Sequence, residues 1–139
     1  MSDHRITIQR LFDEVWNGRR FDVIPELYAP RFVADYRPYS PLLEGSDAVR
    51  GMVERAWSTF PDYHEELLSV LTDDDRAAVH LRITGTQHGA WGPVPPTGRR
   101  VAFEEMLLLT FDADGRVLHQ RGIVDNLAVF RQLGLAPQP

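Results

Sequence analysis

The sequence predicts an α+β fold in which helices pack on one face of an antiparallel sheet. Three observations carry that expectation. Three helical segments are read within the first sixty residues, two of them with apolar residues at helical spacing. From His64 onward the apolar period changes to two, and turn sequences divide the remainder into hairpins. The 139 residues are enough for one core without disulfides, so residues 1–139 are read as a single domain.

Ile8, Leu11, Phe12, Val15 and Trp16 follow the i, i+3, i+4, i+7, i+8 stripe of a helix with one buried face. Asn17-Gly18 is its expected left-handed stop. A short helix follows around residues 23–28. Pro25 stands early in it, where a missing N–H costs little, and Pro30 is its expected end. Residues 32–36 read as extended and lead into Arg37-Pro38-Tyr39-Ser40-Pro41, whose prolines interrupt both ladder and helix. Ser46 is the expected N-cap of a third helix with Val49, Met52, Val53, Ala56 and Phe60 on one face, stopped by Phe60-Pro61-Asp62. Residues 64–71 form the first expected strand of the hairpin region, followed by a solvated turn at Asp73-Asp74-Asp75. Ala77, Val79, Leu81 and Ile83 then alternate with Ala78, His80, Arg82 and Thr84, as in a half-buried strand. The stretch 89–100, rich in Gly and Pro, is a long loop. Residues 101–111 form a strand apolar on both faces, placed centrally or under a partner subunit. Asp112-Ala113-Asp114-Gly115 turns the chain, residues 116–124 return, and Asp125 or Asn126 caps a last helix carrying Leu127, Phe130 and Leu133 and closed by Gly134.

Composition removes several functional classes. With 43% hydrophobic residues the chain is not a disordered one. Twenty acidic against 15 basic side chains give a net charge of −5, and no basic stripe gathers for nucleic acid. No run approaches the ~20 apolar residues of a membrane helix, and the polar start Met1-Ser2-Asp3-His4-Arg5 has no secretory core, so a cytoplasmic location is expected. Without cysteine there is no disulfide, thiolate or cysteine-ligated metal chemistry. The histidines never take an H-x-x-x-H spacing, so no metal is expected. No glycine-rich phosphate loop follows a strand, and neither Ser40 nor Ser46 sits on a nucleophile elbow.

A strongly twisted sheet covered by helices on one side can outgrow its own side chains, leaving a deep apolar cone open at one end. Gly85-Thr86-Gln87-His88-Gly89, with Gly92-Pro93-Val94-Pro95-Pro96-Thr97-Gly98-Arg99-Arg100-Val101, resembles the G-T-x-x-G…P-P-T-G-R stretch of the SnoaL-like polyketide cyclase family. Trp16-Asn17-Gly18, Phe60-Pro61-Asp62, Asp114-Gly115-Arg116 and Leu133-Gly134 fall in family order and spacing. The resemblance implies the cone of nuclear transport factor 2: a curved antiparallel sheet packed against about three N-terminal helices around a deep apolar pocket. It also implies aldol ring closure without a cofactor, a small apolar substrate, and a homodimer through the convex sheet face. Much of the shared pattern is turn chemistry, and relatives open epoxides, form cyclic ethers, hydroxylate with a reductase partner or merely bind, so function has to be argued from the site.

On the returning strand His119, Arg121, Ile123 and Asp125 share one parity, and Leu118, Gln120, Gly122 and Val124 the other. The family's cavity-facing E-x-W-x-x-x-D becomes His119-x-Arg121-x-x-x-Asp125 here. The resemblance therefore implies Asp125 as general acid–base group, able to take a carbon proton and return one to the new alkoxide. The residues alone read Asp125 equally as a helix cap. Arg121 has three readings: pairing with Asp125, holding a substrate oxygen, or turning outward through a β-bulge. His119 lies nearer the turn, at the rim.

Phe103, Glu105, Leu107, Leu109 and Phe111 share one face of the preceding strand. Glu105 is the further catalytic candidate, as a second carboxylate or as the counter-ion of Arg121. Leu107 lines the pocket where relatives often carry a histidine or acid. The resemblance implies Tyr36 at the pocket mouth, positioning a substrate carbonyl; Tyr36 and Trp91 are substrate-binding candidates that read equally as loop packing, and His88 is a further one in the loop region near the mouth. Two alternatives stay open. Limonene-type epoxide hydrolases of this fold set an arginine between two aspartates; Glu105, Arg121 and Asp125 imitate that composition but not its R-x-D spacing, since Phe103 occupies the arginine's place. A non-catalytic, dimeric ligand-binding module would use the same charges as a structural network.

Overall fold

The structure, a computed structural model, describes residues 3–136; Met1 and Ser2 of the polar start and residues 137–139 lie outside the described residues. Asp3 caps the first helix by accepting from the Arg5 backbone N–H. This helix, α1 (His4–Arg10), continues into a π-helical turn, Leu11–Trp16, marked by the Asn17 N–H reaching Phe12 O five residues back at 2.8 Å. Leu11, Phe12 and Val15 are buried there. The left-handed residue that follows is Arg19, φ 55°, rather than Asn17 or Gly18. Gly18 is demanded by space instead, because a Cβ would lie 2.7 Å from Asp13 O.

A 3-10 turn at Phe21–Val23 leads into α2 (Ile24–Leu27), with Pro25 in its first turn. The helix ends at Leu27, so Pro30 does not terminate it. Pro30 lies inside β1 (Tyr28–Asp35), where a register shift between Tyr28 and Val33 accommodates the missing N–H. β2 (Leu43–Glu44) precedes α3 (Asp47–Thr59), which buries Val49 and Val53; Ser46 takes the N-cap position without a side-chain hydrogen bond. β3 (His64–Asp73), β4 (Arg76–Thr86), β5 (Arg100–Phe111) and β6 (Val117–Val124) follow, then α4 (Asn126–Gln132). No helix among the described residues is long and apolar enough to cross a membrane.

The strands form one curved, unclosed sheet in the order β2-β1-β6-β5-β4-β3. Every pairing is antiparallel except β1 with β6, which run parallel, so the sheet is mixed. That exception positions the site. It sets Ala34 opposite Gln120 and Asp35 opposite Arg121, bringing the segment after β1 over the end of β6. The concave face packs on the helices through Ile8, Leu11, Val15, Val49, Val53, Val79, Leu81, Leu109 and Val117, all buried. On β5 the expected alternation holds: Glu105, Leu107 and Leu109 point inward, while Met106 and Leu108 are 52% and 60% exposed.

The shared turn sequences act as fasteners. Asp62 accepts from both the backbone N–H and the hydroxyl of Thr86. Gln87, fully buried, accepts from the Thr97 N–H and hydroxyl through Oε1 and donates to Pro95 O, pinning the Pro-Pro-Thr-Gly loop to β4.

Tyr36 lies flat against Gly122, where a Cβ would stand 2.1 Å from the tyrosine Cε1. Gly122→Ala is therefore expected to displace Tyr36 and to cost about 1–3 kcal/mol, the range for overpacking a tight site. Urea unfolding checks this, and wild-type stability in the variant would contradict the packing.

Candidate active site

β3, β5 and β6 present polar side chains to one small chamber under the helices. Its wall is formed by Leu11, Phe12 and Trp16 from the first helical segment, Leu81, Leu107 and Leu109 from the sheet, and Tyr28, Tyr36, Tyr63, Glu65, Glu105 and Gln120. The chamber measures about 40 Å³. A water molecule needs roughly 10–15 Å³ on the same measure, so about three would fill it. No arginine, lysine or histidine lines it.

Two hydrogen-bonded units face each other there. In the first, Gln120 Nε2 donates to the Tyr36 hydroxyl at 2.6 Å, and that hydroxyl donates to Glu105 Oε2 at 2.7 Å. In the second, the Tyr63 hydroxyl donates to Glu65 Oε2. The Asn17 amide clamps the backbone of Glu65 on the free edge of β3: Nδ2 donates to Glu65 O at 2.9 Å and Oδ1 accepts from Glu65 N at 2.8 Å. An amide here does for an edge strand what a neighbouring strand would do. Trp16, the preceding residue, donates from Nε1 to the Tyr28 hydroxyl at 3.2 Å.

Electrostatics follow from burial without a cation. Glu65 and Glu105 are each 7% exposed. Burial pushes Glu105 up to about 7, against the pull of its Tyr36 hydrogen bond. Burial, and then the nearby charge of Glu105, pushes Glu65 up to about 8 despite the Tyr63 bond. Tyr36 and Tyr63 are held well above the ordinary phenol value, first by burial and then by the carboxylate charge beside each. Two acids that interact titrate as a pair, so the chamber holds a proton at neutral pH.

Glu105, Tyr36 and Leu107 of the expected site come together here. The others do not. A bulge at the start of β6 pairs Phe111 with Val117 but Thr110 with His119, leaving Leu118 as the extra residue. Val117 and Gln120 consequently both point inward, and His119, Arg121 and Ile123 point to the outer face. Arg121 donates to Asp35 O at 3.0 Å and lies 3.9 Å from Asp35 Oδ1, so its partner is neither Asp125 nor Glu105. With Leu71, Ala78, Leu108 and His119 it lines a groove on the convex side. Asp125 is exposed and is the N-cap of α4, accepting from Ala128 N at 3.1 Å. Trp91 packs on Phe130, its ring 5.1 Å away, and donates to the Tyr39 hydroxyl. His88 is exposed on the loop. Neither Trp91 nor His88 lines the chamber. Among the described residues no three His, Asp or Glu side chains group so as to hold a metal ion.

Sequence reasoning missed Glu65, Tyr63 and Gln120. Glu65 shares parity with Leu67 on a strand whose inner face is apolar, and that parity was the available signal.

A native state that keeps protons on Glu65 and Glu105 binds more protons than the unfolded chain between their ordinary value of 4.5 and about 7–8. Stability is accordingly highest below pH 4.5 as far as these groups are concerned, and falls across that window by about 1.4 kcal/mol per pH unit for each group. Urea unfolding at a series of pH values should show Glu65→Gln and Glu105→Gln each flattening the slope. A slope unchanged in both variants would contradict the buried-acid assignment.

The family model for SnoaL-like polyketide cyclases matches residues 6–133. No curated protein matches the chain. Among solved structures, a protein assigned as a SnoaL-like polyketide cyclase from Jannaschia sp. CCS1 is 30% identical, with a TM-score of 0.84 over 96% of this chain and 93% of that one. AclR of Streptomyces galilaeus, assigned as a hydroxylase, is 24% identical, with a TM-score of 0.82 over 97% of this chain and 87% of that one. A protein of ketosteroid isomerase-like fold from Catenulispora acidiphila DSM 44928, solved with trimethylamine, is 16% identical, with a TM-score of 0.76 over 96% and 97% of the two chains. The last two likenesses show the fold alone. With its match running from Ile6 to Leu133, the chain belongs to the SnoaL-like polyketide cyclase family.

Proposed function

We propose that the chain is a cofactor-independent cyclase or isomerase acting on a polyketide-like or similarly apolar carbonyl compound, with Glu105 as general acid–base group. One observation carries this reading: Glu105 is a buried carboxyl in a cation-free chamber, aimed by Tyr36, which Gln120 and Gly122 hold in place. An acid balanced near neutrality can take a proton from carbon next to a carbonyl and return one to the alkoxide formed on ring closure. The chain contains neither lysine nor cysteine, which leaves no Schiff-base or thiolate route. Family membership supports the same chemistry. Epoxide opening, the alternative, is disfavoured because Arg121 lies outside the chamber. A ring-sized substrate exceeds about 40 Å³, so its admission requires the chamber to widen.

Hydrogen–deuterium exchange at the carbon beside the carbonyl of cyclohexanone and 1-tetralone tests the proposal without knowledge of the natural substrate. The wild-type protein is expected to accelerate exchange, and Glu105→Gln to lose roughly 10²–10⁴-fold while remaining folded. Asp125→Ala is expected to keep the rate and to lose about 1 kcal/mol of stability with its helix cap. Equal rates for Glu105→Gln and wild type would overturn the assignment.

We also propose a homodimer through the convex face of the sheet. Leu71, Met106, Leu108 and Ile123 are 52–70% exposed there, on the strands β3, β5 and β6, and no helix among the described residues covers them. A sheet face in water is normally polar, and a second copy of the same face supports burial of this one. Sedimentation velocity should find a dimer that Leu108→Asp converts to a folded monomer; a wild-type monomer at micromolar concentration would refute it.

A further inference from the structure

We propose that Glu65 is the second catalytic acid of the chamber, delivering a proton to the substrate oxygen while Glu105 takes one from carbon. This rests on the acid–base reading of Glu105. Glu65 has the geometry of a donor held ready for use. Its backbone N–H and C=O are both bonded by the Asn17 amide, and Oε2 is occupied by Tyr63. No described residue hydrogen-bonds Oε1, and that atom is not among the enclosed unpartnered ones, so it meets the chamber. The titratable groups facing it are Tyr63, Glu105, Tyr36 and Tyr28, all of them acids, and no cation offsets a charge on Glu65. With Glu105 ionised as the base, repulsion and burial together keep the proton on Glu65.

The proton balance closes. Glu105 carboxylate removes the C–H proton as the Glu65 carboxyl protonates the carbonyl oxygen, giving an enol, a neutral Glu105 and an ionised Glu65. The enol carbon then attacks the acceptor carbonyl and forms the C–C bond. The enol O–H proton returns to Glu65, and Glu105 protonates the new alkoxide oxygen. Both groups regain their starting states, and no external oxidant, reductant or metal takes part. Asn17 and Tyr63 are positioning residues in this scheme.

The pH dependence of deuterium exchange into 1-tetralone separates this proposal from the one it rests on. The wild-type profile is expected to be a bell, rising as Glu105 ionises and falling as Glu65 does. Glu65→Gln should lose about 100-fold and the alkaline limb, leaving a plateau at high pH. Tyr63→Phe, which keeps the carboxyl but removes the bond that favours its ionised form, should move the alkaline limb to higher pH and leave the acid limb in place. It serves as the test if Glu65→Gln does not fold, because a merely structural Glu65 would not move one limb alone. Loss of activity in Glu105→Gln together with a wild-type rate and bell in Glu65→Gln would overturn the role of Glu65 and leave that of Glu105 standing. A wild-type rate in Glu105→Gln would instead overturn the underlying acid–base reading.

Discussion

Two carboxyl groups share an apolar chamber that offers no positive charge. Burying an ionised carboxylate without a partner is among the most costly things a fold can do, and the usual solution is an arginine. This chain solves it with protons and phenols: Tyr36 serves Glu105, Tyr63 serves Glu65, and each acid holds its proton toward neutral pH. Much of the architecture around the chamber exists to maintain that arrangement. β1 runs parallel beside β6 so that Tyr36 arrives over Gly122, and Asn17 ties the first helical segment to the backbone of Glu65.

The contrast with the outside of the sheet is informative. At the convex edge, Asp35 is held well below the usual carboxylate range, first by hydrogen bonds from Arg37, then by the charge of Arg37 and last by that of Arg121. Asp35, with its side chain only 13% exposed, is thus paired with guanidinium groups and stays charged. The chamber acids receive none. Fifteen arginines are available, so their exclusion from the chamber separates two kinds of acid: those that stay charged and those whose charge state can change near pH 7. Only the second kind is suited to moving protons.

Most of the fold was legible in the sequence because it rests on periodicity and turn chemistry. The helical stripe from Ile8 to Trp16 and the alternation in β4 and β5 are local features, and the turn sequences at Phe60-Pro61-Asp62 and Asp112-Ala113-Asp114-Gly115 mark where elements end. The site was legible only in part. Glu105 and Leu107 could be found because β5 is regular, and Tyr36 because its position matches a polar position of the family. The family's E-x-W-x-x-x-D pattern places Arg121 and Asp125 in the cavity; in this chain the extra residue Leu118 turns Arg121 outward, and Asp125 lies past the end of β6 as the cap of α4. Gln120 was lost for the same reason. The outward turn of Arg121 through a bulge was one of the three readings its position allowed. Glu65 carried only its parity with Leu67 as a signal; its value comes from Asn17 and Tyr63, and from Glu105 two strands away, which are non-local neighbours. The parallel pairing of β1 with β6 is likewise a long-range fact that no local pattern announces.

Since the chemistry argued here depends on two acids that exchange protons near neutrality, their ionisation is the quantity to observe directly. Carbon-13 NMR of the glutamate side-chain carboxyls across pH 3–10, with Glu65→Gln and Glu105→Gln used to assign the signals, reports it residue by residue. The expected result is two carboxyls titrating with coupled midpoints of about 7 and 8, and the survivor in the Glu105→Gln variant shifting downward once its charged neighbour is gone. Midpoints for both groups in the ordinary carboxylate range near 4.5 would contradict the account.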